Sequence, residues 1–450
     1  MAPDPAEPRE PGRPLRIAFH SQGCKLNLYE SAGLSQAAAR RRHVVVPMGE
    51  AADVVVLNTC SVTGRADQEA RQLLRRLHRR RPEARLVVTG CYAQRAPAEL
   101  AALPGVALVA GHAEKDDLAD WLDALPAAGA GEIRVGPLRG KTTTALRALG
   151  AEGRTRAYLR VQDGCDAACS YCVIPSTRGS SRSLSLREIE AEARSLLDAG
   201  FREIVLTGVH LGRWGCDLRP VRRFSELVEL LVRLPSPHAF RLRLSSLEPR
   251  EVDERLVDIL AGSGVLAPHL HLPLQSGSDP VLRAMRRSYR TREYRERVLA
   301  VAARVSPLAL GADLLVGFPG ETEADFRRTA AFLAEIPFTH LHAFSFSPRP
   351  GTEAAGFPGR PPGNVTARRR EHAAALVAEK GRRFRESFLG RVVRVLVEAP
   401  TRPGRIRGWS DHYLRVTVAG EGGSPGRFAL VKVNGFDKDG LRGELVATLP

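Results

Sequence analysis

Gly164-Cys165-Asp166-Ala167-Ala168-Cys169-Ser170-Tyr171-Cys172 decides the reading of this chain. It is a C-x3-C-x2-C run with an aromatic before the last thiol. Three thiolates on one short loop can each ligate one iron of a [4Fe–4S] cluster and leave the fourth iron open. A zinc site is the alternative, but zinc usually takes a fourth protein ligand and paired C-x2-C knuckles.

The loop sits inside a regular alternation. Residues 154–347 carry strand patterns at Ala157–Gln162, Glu203–Thr207, Phe240–Leu244, His269–Leu272, Leu308–Leu315 and His340–Phe346. Helical periodicity lies between them, as in Leu186–Ala199 and Glu323–Glu335. Six β/α units predict a partial (β/α)6 barrel with the cysteine loop after its first strand. Barrel chemistry gathers at the carboxyl ends of strands.

Residues 15–126 alternate in the same way. Strands are expected at Leu15–Ser21, Ala52–Asn58, Arg85–Thr89 and Val106–Ala110, and helices at Asn27–Arg42, Ala66–Arg80 and Glu114–Leu125. Near-continuous apolar strands separated by helices predict a parallel-sheet domain. Cys24, Cys60 and Cys91 each fall just past a strand, where sites form in such sheets. Three strand ends would bring these thiols together, against the alternative of three unrelated buried cysteines. Cys216 is left over and reads as a free structural thiol.

The remaining segments are simpler. Residues 1–14 hold five prolines and no apolar core, and read as a disordered arm, not a signal peptide. Residues 127–153 are Ala/Gly-rich and read as a linker, with one possible strand at Glu132–Val135. Residues 348–389 form a Pro/Gly-rich linker followed by a basic helix. Residues 390–450 hold five short β-rich runs, which predict a small all-β OB-like barrel. Its Arg402, Arg405 and Arg407 with Trp409 and Tyr413 make an RNA-binding face one reading, and a plain solubilising barrel the other. Its basic excess and its separation from both cysteine triads predict that removing residues 391–450 weakens RNA binding and its salt dependence but spares chemistry at the thiols.

Bulk composition narrows the class. There are 67 basic and 50 acidic residues, a net charge of +17 that favours a polyanionic partner such as nucleic acid. No apolar run reaches the ~18 residues of a membrane span, so no membrane partner and a cytoplasmic location are expected. Seven cysteines in such a chain favour metal or catalysis over disulfides.

The three parts in this order resemble the radical S-adenosylmethionine methylthiotransferases, which join a three-cysteine domain, a radical barrel and a TRAM domain. The resemblance rests on Gly23-Cys24-Lys25-Leu26-Asn27, Asn58-Thr59-Cys60-Ser61-Val62-Thr63 and Gln162-Asp163-Gly164-Cys165. It extends to Ile174-Pro175 with Arg178-Gly179, Leu274-Gln275-Ser276-Gly277-Ser278, Val316-Gly317-Phe318-Pro319-Gly320-Glu321-Thr322 and Ser347-Pro348-Arg349-Pro350-Gly351-Thr352. One departure is Ser176, where the family often has an aromatic. Cys60-Ser61-Val62-Thr63, Gln68-Glu69-Ala70-Arg71 and Gly208-Val209-His210-Leu211-Gly212 are most similar to the branch acting on N6-threonylcarbamoyladenosine at tRNA position 37. The isopentenyladenosine branch usually has arginine where Thr63 stands.

The resemblance implies two [4Fe–4S] clusters, on Cys165, Cys169, Cys172 and on Cys24, Cys60, Cys91. It implies S-adenosylmethionine as co-substrate, cleaved at the first cluster to make a 5′-deoxyadenosyl radical, with sulfur carried at the second. C2 of adenine has no acidic proton, so replacing its hydrogen with a methylthio group calls for such cofactor chemistry. Expected partners are tRNA, an electron donor such as flavodoxin or ferredoxin, and a sulfur donor. Tyr171, Gly208, Ser245, Glu248 and Gln275 are candidate cofactor-binding residues. Gly208 has a tight turn as its alternative role, and the last three can equally cap helices. His269 and His271 share a strand face and read as structural; Arg349 reads as a phosphate contact or an ion-pair partner. The alternatives are methylthiolation of isopentenyladenosine tRNA or of a ribosomal protein, and a non-catalytic iron–sulfur RNA-binding protein.

Overall fold

The computed structural model describes residues 13–138, 146–148, 155–398, 405–419, 423–438 and 440–449. Most of the expected N-terminal arm, much of the expected linker after residue 138, and Arg402 lie outside these residues. The chain divides into two compact units, one of residues 1–148 with Ser176–Arg178, the other of residues 149–175 and 179–450.

The first unit is built on six parallel strands: β1 (Arg16–Ser21), β2 (Val44–Val46), β3 (Val54–Thr59), β4 (Arg85–Gly90), β5 (Val106–Ala110) and β6 (Glu132–Arg134), in spatial order β2-β1-β3-β4-β5-β6. Every residue of β3 and β5 is buried, as expected of strands covered on both faces. Helices α1 (Lys25–Arg40) and α2 (Gly64–Arg80) follow β1 and β3, and a short α3 (Cys91–Arg95) follows β4. Thr63 caps α2 by accepting from the Ala66 amide at 3.2 Å. The helix expected over Glu114–Leu125 is reduced to Leu118–Trp121 and a 3-10 turn, Leu122–Ala124. Glu132–Arg134, in the Ala/Gly-rich stretch, pairs with β5 and closes the sheet edge.

In the second unit six parallel strands run in chain order around a partial barrel: β7 (Arg156–Arg160), β10 (Glu203–Thr207), β11 (Arg241–Leu244), β12 (His269–His271), β13 (Ala309–Val316) and β14 (His340–Ser345). The ladder is interrupted between β11 and β12, where one bridge, Leu242 to Leu266, carries the pairing. A small antiparallel pair, β8 (Gln162–Asp163) with β9 (Arg182–Ser183), brackets the cysteine loop. Helices and outward strand faces bury one continuous apolar core, from Ala157 to Val377. After the helix Gly363–Glu386, strands β15 (Val392–Glu398), β16 (Arg405–Ser410), β17 (Arg415–Ala419), β18 (Phe428–Asp437) and β19 (Gly440–Thr448) form a closed five-stranded barrel.

That small barrel is not an independent appendage. Arg241 and Arg243 are fully buried on one face of β11, beside the fully buried Glu203 of β10. Arg241 Nε donates to Glu203 at 2.7 Å and Arg243 Nε at 2.9 Å. The same guanidinium groups reach the C-terminal barrel: Arg241 donates to Asp411 at 2.6 Å and to the Trp409 carbonyl at 3.0 Å, and Arg243 to the Ser410 and Asp411 carbonyls at 3.1 Å. Trp409 and Tyr413 stack on each other at 4.8 Å, with Arg156 over Trp409 and Arg243 over Tyr413. These two rings are therefore engaged within the protein, which corrects the reading of them as an open base-stacking face. The same contacts bear on the expectation that removing residues 391–450 spares chemistry at the thiols: removal would leave two buried guanidinium groups short of acceptors.

Candidate active site and thiol triads

Strand register brings the first triad together. Ser21 pairs with Asn58 and Asn58 with Thr89, so β1, β3 and β4 end side by side, and Cys24, Cys60 and Cys91 follow within three residues of those ends. Gly23 and Gly90 make the approach possible. Gly23 has φ +96°, and a Cβ there would stand 2.5 Å from Cys60 Cβ; Gly90 has φ +98° against the Thr59 backbone. Only glycine fits such positions without strain.

A polar network lies beneath the thiols. Asn27 Nδ2 donates to the carbonyls of Gln22 at 2.8 Å and Thr59 at 3.0 Å. Its Oδ1 stands 3.8 Å from Cys24 Sγ and accepts from Arg178 Nη2 at 2.7 Å. Arg178 also pairs with Glu30 at 2.9 Å, and Glu30 contacts Lys115. Beside Cys60, Ser61 and Arg95 hold the buried Asp67, with Arg95 at 2.8 Å.

The second triad is held on its own scaffold. Gln162, fully buried, donates to the carbonyls of Asp163 and Gly164 and to Ser181, and accepts from the His210 amide at 2.8 Å. Gly164 has φ +70°, and a Cβ there would run into the Ser180 carbonyl. Ser170 is anchored to the Met285 and Ala284 backbone. His210 Nδ1 lies 3.5 Å from Cys165 Sγ and its Nε2 2.7 Å from Glu251. Arg287 Nη1 lies 3.3 Å from Cys169 Sγ, and its other nitrogen pairs with Glu248.

Both triads fit an iron–sulfur core. Burial first, and then the neighbouring Cys91, push the Cys60 thiol up to about 12; Cys24 is also raised by burial and by Cys91, against the pull of Arg178. Burial, with Cys169 and Cys165 behind it, pushes Cys172 up to about 12. Crowded thiolates repel one another, and a polycationic iron core removes that penalty. Among the described residues no three His, Cys, Asp or Glu side chains converge as they would on a single metal ion. A cubane does not require this, because each thiolate takes a different corner.

Residues 16–111 match the model described as uncharacterized protein family UPF0004, and residues 159–333 match the radical SAM superfamily. The threonylcarbamoyladenosine tRNA methylthiotransferase MtaB of Bacillus subtilis is 34% identical over 93% of this chain and 93% of its own length. The MtaB of Thermotoga maritima is 34% identical over 94% of this chain and 96% of its own. The chain belongs to the radical S-adenosylmethionine methylthiotransferases. A tRNA-2-methylthio-N(6)-dimethylallyladenosine synthase of Cereibacter sphaeroides is likewise 34% identical, over 95% of this chain and 98% of its own. Among solved structures, the radical S-adenosylmethionine methyltransferase TsrM of Kitasatospora setae, with cobalamin and a [4Fe–4S] cluster bound, covers 76% of this chain and 77% of its own. Its TM-score is 0.55 and its identity 16%, a likeness of fold.

For this methylthiotransferase, the other sequence candidates divide. Tyr171 lies beside Arg287, whose Nη1 is 3.5 Å from its hydroxyl. Gly208 follows β10 and presses on Gln162, 3.0 Å from where its Cβ would be. Gln275 holds a left-handed φ of +60°, rare for a non-glycine residue, in the segment after β12, with its amide on Asp313 and its carbonyl under Leu315. Glu248 is taken up by Arg287 and opens a 3-10 turn, Pro249–Glu251. Ser245 is buried, with its amide on Leu206. His271 bonds Ser246 at 2.7 Å and His269 packs on Tyr413, both structural contacts. Arg349 is only 4% exposed, so it is not presented to phosphate.

Residue-by-residue reading missed Arg178, Glu30, Lys115, His210, Glu251 and Arg287. Two signals were in view: Arg178 stands in the Arg-Gly pair after Ile-Pro, and His210 in Gly208–Gly212. Gly212 is there because a Cβ would overlap the Glu251 carboxylate that holds His210.

Proposed function

We propose that this enzyme replaces C2–H of N6-threonylcarbamoyladenosine at position 37 of tRNA with a methylthio group. As a radical S-adenosylmethionine methylthiotransferase it uses S-adenosylmethionine and [4Fe–4S] clusters, which supply the radical and carry the sulfur when bound. Cys165, Cys169 and Cys172 would hold the cluster that meets S-adenosylmethionine. Gln162 fixes that loop, Arg287 neutralises charge at Cys169, and His210 with Glu251 shields Cys165. Cys24, Cys60 and Cys91 would hold the second cluster, on adjacent strand ends.

The observation that carries the substrate assignment is the turn Cys60-Ser61-Val62-Thr63. Its last residue caps α2 within three positions of a proposed cluster ligand, and Val62 is exposed beside it. Thr63 does this where the isopentenyladenosine branch usually has arginine, and the relatives named for threonylcarbamoyladenosine match the chain over nearly its full length. Relatives named for dimethylallyladenosine match at the same identity, which favours that substrate as the second reading.

The test is nucleoside mass spectrometry of tRNA from a deletion strain and the same strain complemented with this chain. Loss and return of 2-methylthio-N6-threonylcarbamoyladenosine is expected. Loss of the dimethylallyl product instead would move the enzyme to the other branch. The tRNA partner, the electron donor, the sulfur donor and a cytoplasmic location belong to this same reading.

A further inference from the structure

The exposed face of α2 carries a stripe of positive charge with nothing opposite it. Helical periodicity buries Ala70, Leu74 and Leu77 in the core of the first unit and leaves Arg75, Arg76, Arg79 and Arg80 exposed on the other side. The start of that face is balanced, because Arg65 pairs with Glu69 at 2.8 Å. Its last two turns are not. Among the described residues Arg75, Arg76, Arg79 and Arg80 make no ion pair, and the next acidic residue, Glu83, pairs with none of them. Elsewhere on its surface the chain matches such arginines along a helix: Arg194 with Glu190 at 2.6 Å, Arg222 with Glu226 at 3.2 Å, Arg382 with Glu379 at 2.8 Å.

The arrangement works against the helix. Arg75 with Arg79 and Arg76 with Arg80 are like charges at i,i+4, a spacing at which like charges destabilise. The helix dipole accounts for Arg79 and Arg80, which lie in the last turn, but it falls off within that turn and does not reach Arg75 and Arg76. Repulsion of this kind is relieved by a polyanion, whose repeating phosphates bring opposite charge at short intervals. Guanidinium groups suit phosphate because they present paired donors in a fixed fork.

We propose that Arg75, Arg76, Arg79 and Arg80 form a docking surface for the phosphate backbone of the tRNA substrate. The inference deepens the reading above and rests on tRNA being the substrate, whichever nucleoside is modified. Position favours RNA. Thr63 caps α2 three residues after Cys60, so the helix starts at the first triad and runs away from it. At 1.5 Å per residue the middle of the stripe lies about 20 Å from that cap. A nucleotide brought to the triad is continuous with backbone that can lie along the helix at that distance. An acidic electron donor is the other polyanion in play. It has to serve the cluster proposed on Cys165, Cys169 and Cys172, which belong to the second unit, whereas α2 grows out of the turn that carries Cys60.

The test is binding of a tRNA transcript to the full chain, read by fluorescence anisotropy between about 50 and about 200 mM salt. Arg75→Gln, Arg76→Gln, Arg79→Gln and Arg80→Gln together should flatten the slope of log affinity against log salt by about 3, at ~0.7–0.9 for each phosphate contact. Over that salt range the parent then loses roughly 60-fold more affinity than the variant. Release of 5′-deoxyadenosine in the absence of tRNA should be unchanged, and the four lysine replacements should keep the parent slope. A control carrying Arg255→Gln, Arg295→Gln, Arg297→Gln and Arg304→Gln removes the same charge from arginines that pair with Glu229, Glu335 and Glu254, and should also keep it. A slope that moves by less than about 1, or that the control flattens equally, overturns the surface and leaves tRNA as the substrate. The parent slope retained, with slower reduction of the enzyme by flavodoxin, overturns the RNA assignment and gives the stripe to an acidic protein. A parent that binds no tRNA overturns the substrate reading itself, and this surface with it.

Discussion

Glu203→Gln is the most informative single change in the second unit. Gln matches Glu in size, so the substitution removes charge without opening a cavity. It leaves Arg241 and Arg243, both fully buried, without their shared carboxylate. Burial alone would raise the Glu203 carboxyl, but Arg243 and Arg241 reverse this and bring it from 4.5 to about 2. At 1.36 kcal/mol per pH unit, that is about 3 kcal/mol of stability at neutral pH. It agrees with the ~3–5 kcal/mol lost when one partner of a buried pair is removed. The sign follows from the depressed value: the stabilisation is complete above about pH 4.5 and fades as pH falls towards 2. Urea unfolding of the full chain, followed by far-ultraviolet circular dichroism, should show the loss with an unchanged denaturant slope. The gap between parent and variant should hold from pH 7 to about 5 and narrow below that. Asp411→Asn should cost less, because its side chain is 22% exposed and the carbonyls of Trp409, Ser410 and Asp411 still receive the arginines. A Glu203→Gln loss under about 1 kcal/mol, or one equal at pH 7 and pH 3, would refute the reasoning.

Deleting residues 391–450 should lower thermal stability and S-adenosylmethionine cleavage together, measured by circular dichroism and release of 5′-deoxyadenosine; a truncated chain that cleaves normally would show that Asp411 and its neighbours are dispensable. Gly23→Ala should impair iron retention at the first triad and Gly164→Ala at the second, each read as loss of about half the reconstituted iron on a count of two cubanes, because each Cβ meets backbone or thiol. A Cys24, Cys60, Cys91 triple Ala variant should still release 5′-deoxyadenosine but form no 2-methylthio nucleoside, whereas the Cys165, Cys169, Cys172 variant should do neither. Thr63→Ala should cost about 1 kcal/mol through the lost α2 cap, seen as a lower unfolding midpoint.

The sequence by itself determined the strands and the thiols. β5 and β10 begin and end where their apolar runs do, and β3, β4, β7 and β13 shift by only a residue or two, because hydrophobic periodicity is a local property. The cysteines announced themselves by spacing in one triad and by position after buried strands in the other. Short elements escaped: β2 and α3 hold three and five residues, too few to show a period. What only the tertiary structure decided is charge and contact across long separations. Arg178 meets Glu30 across 148 residues, and Arg241 meets Asp411 across 170. An arginine in a sequence looks the same whether it faces solvent, a phosphate or a buried carboxylate. Trp409 and Tyr413 looked like a surface for bases until Arg156 and Arg243 were found against them. Burial and pairing are set by which strands lie side by side, and no local pattern carries that information.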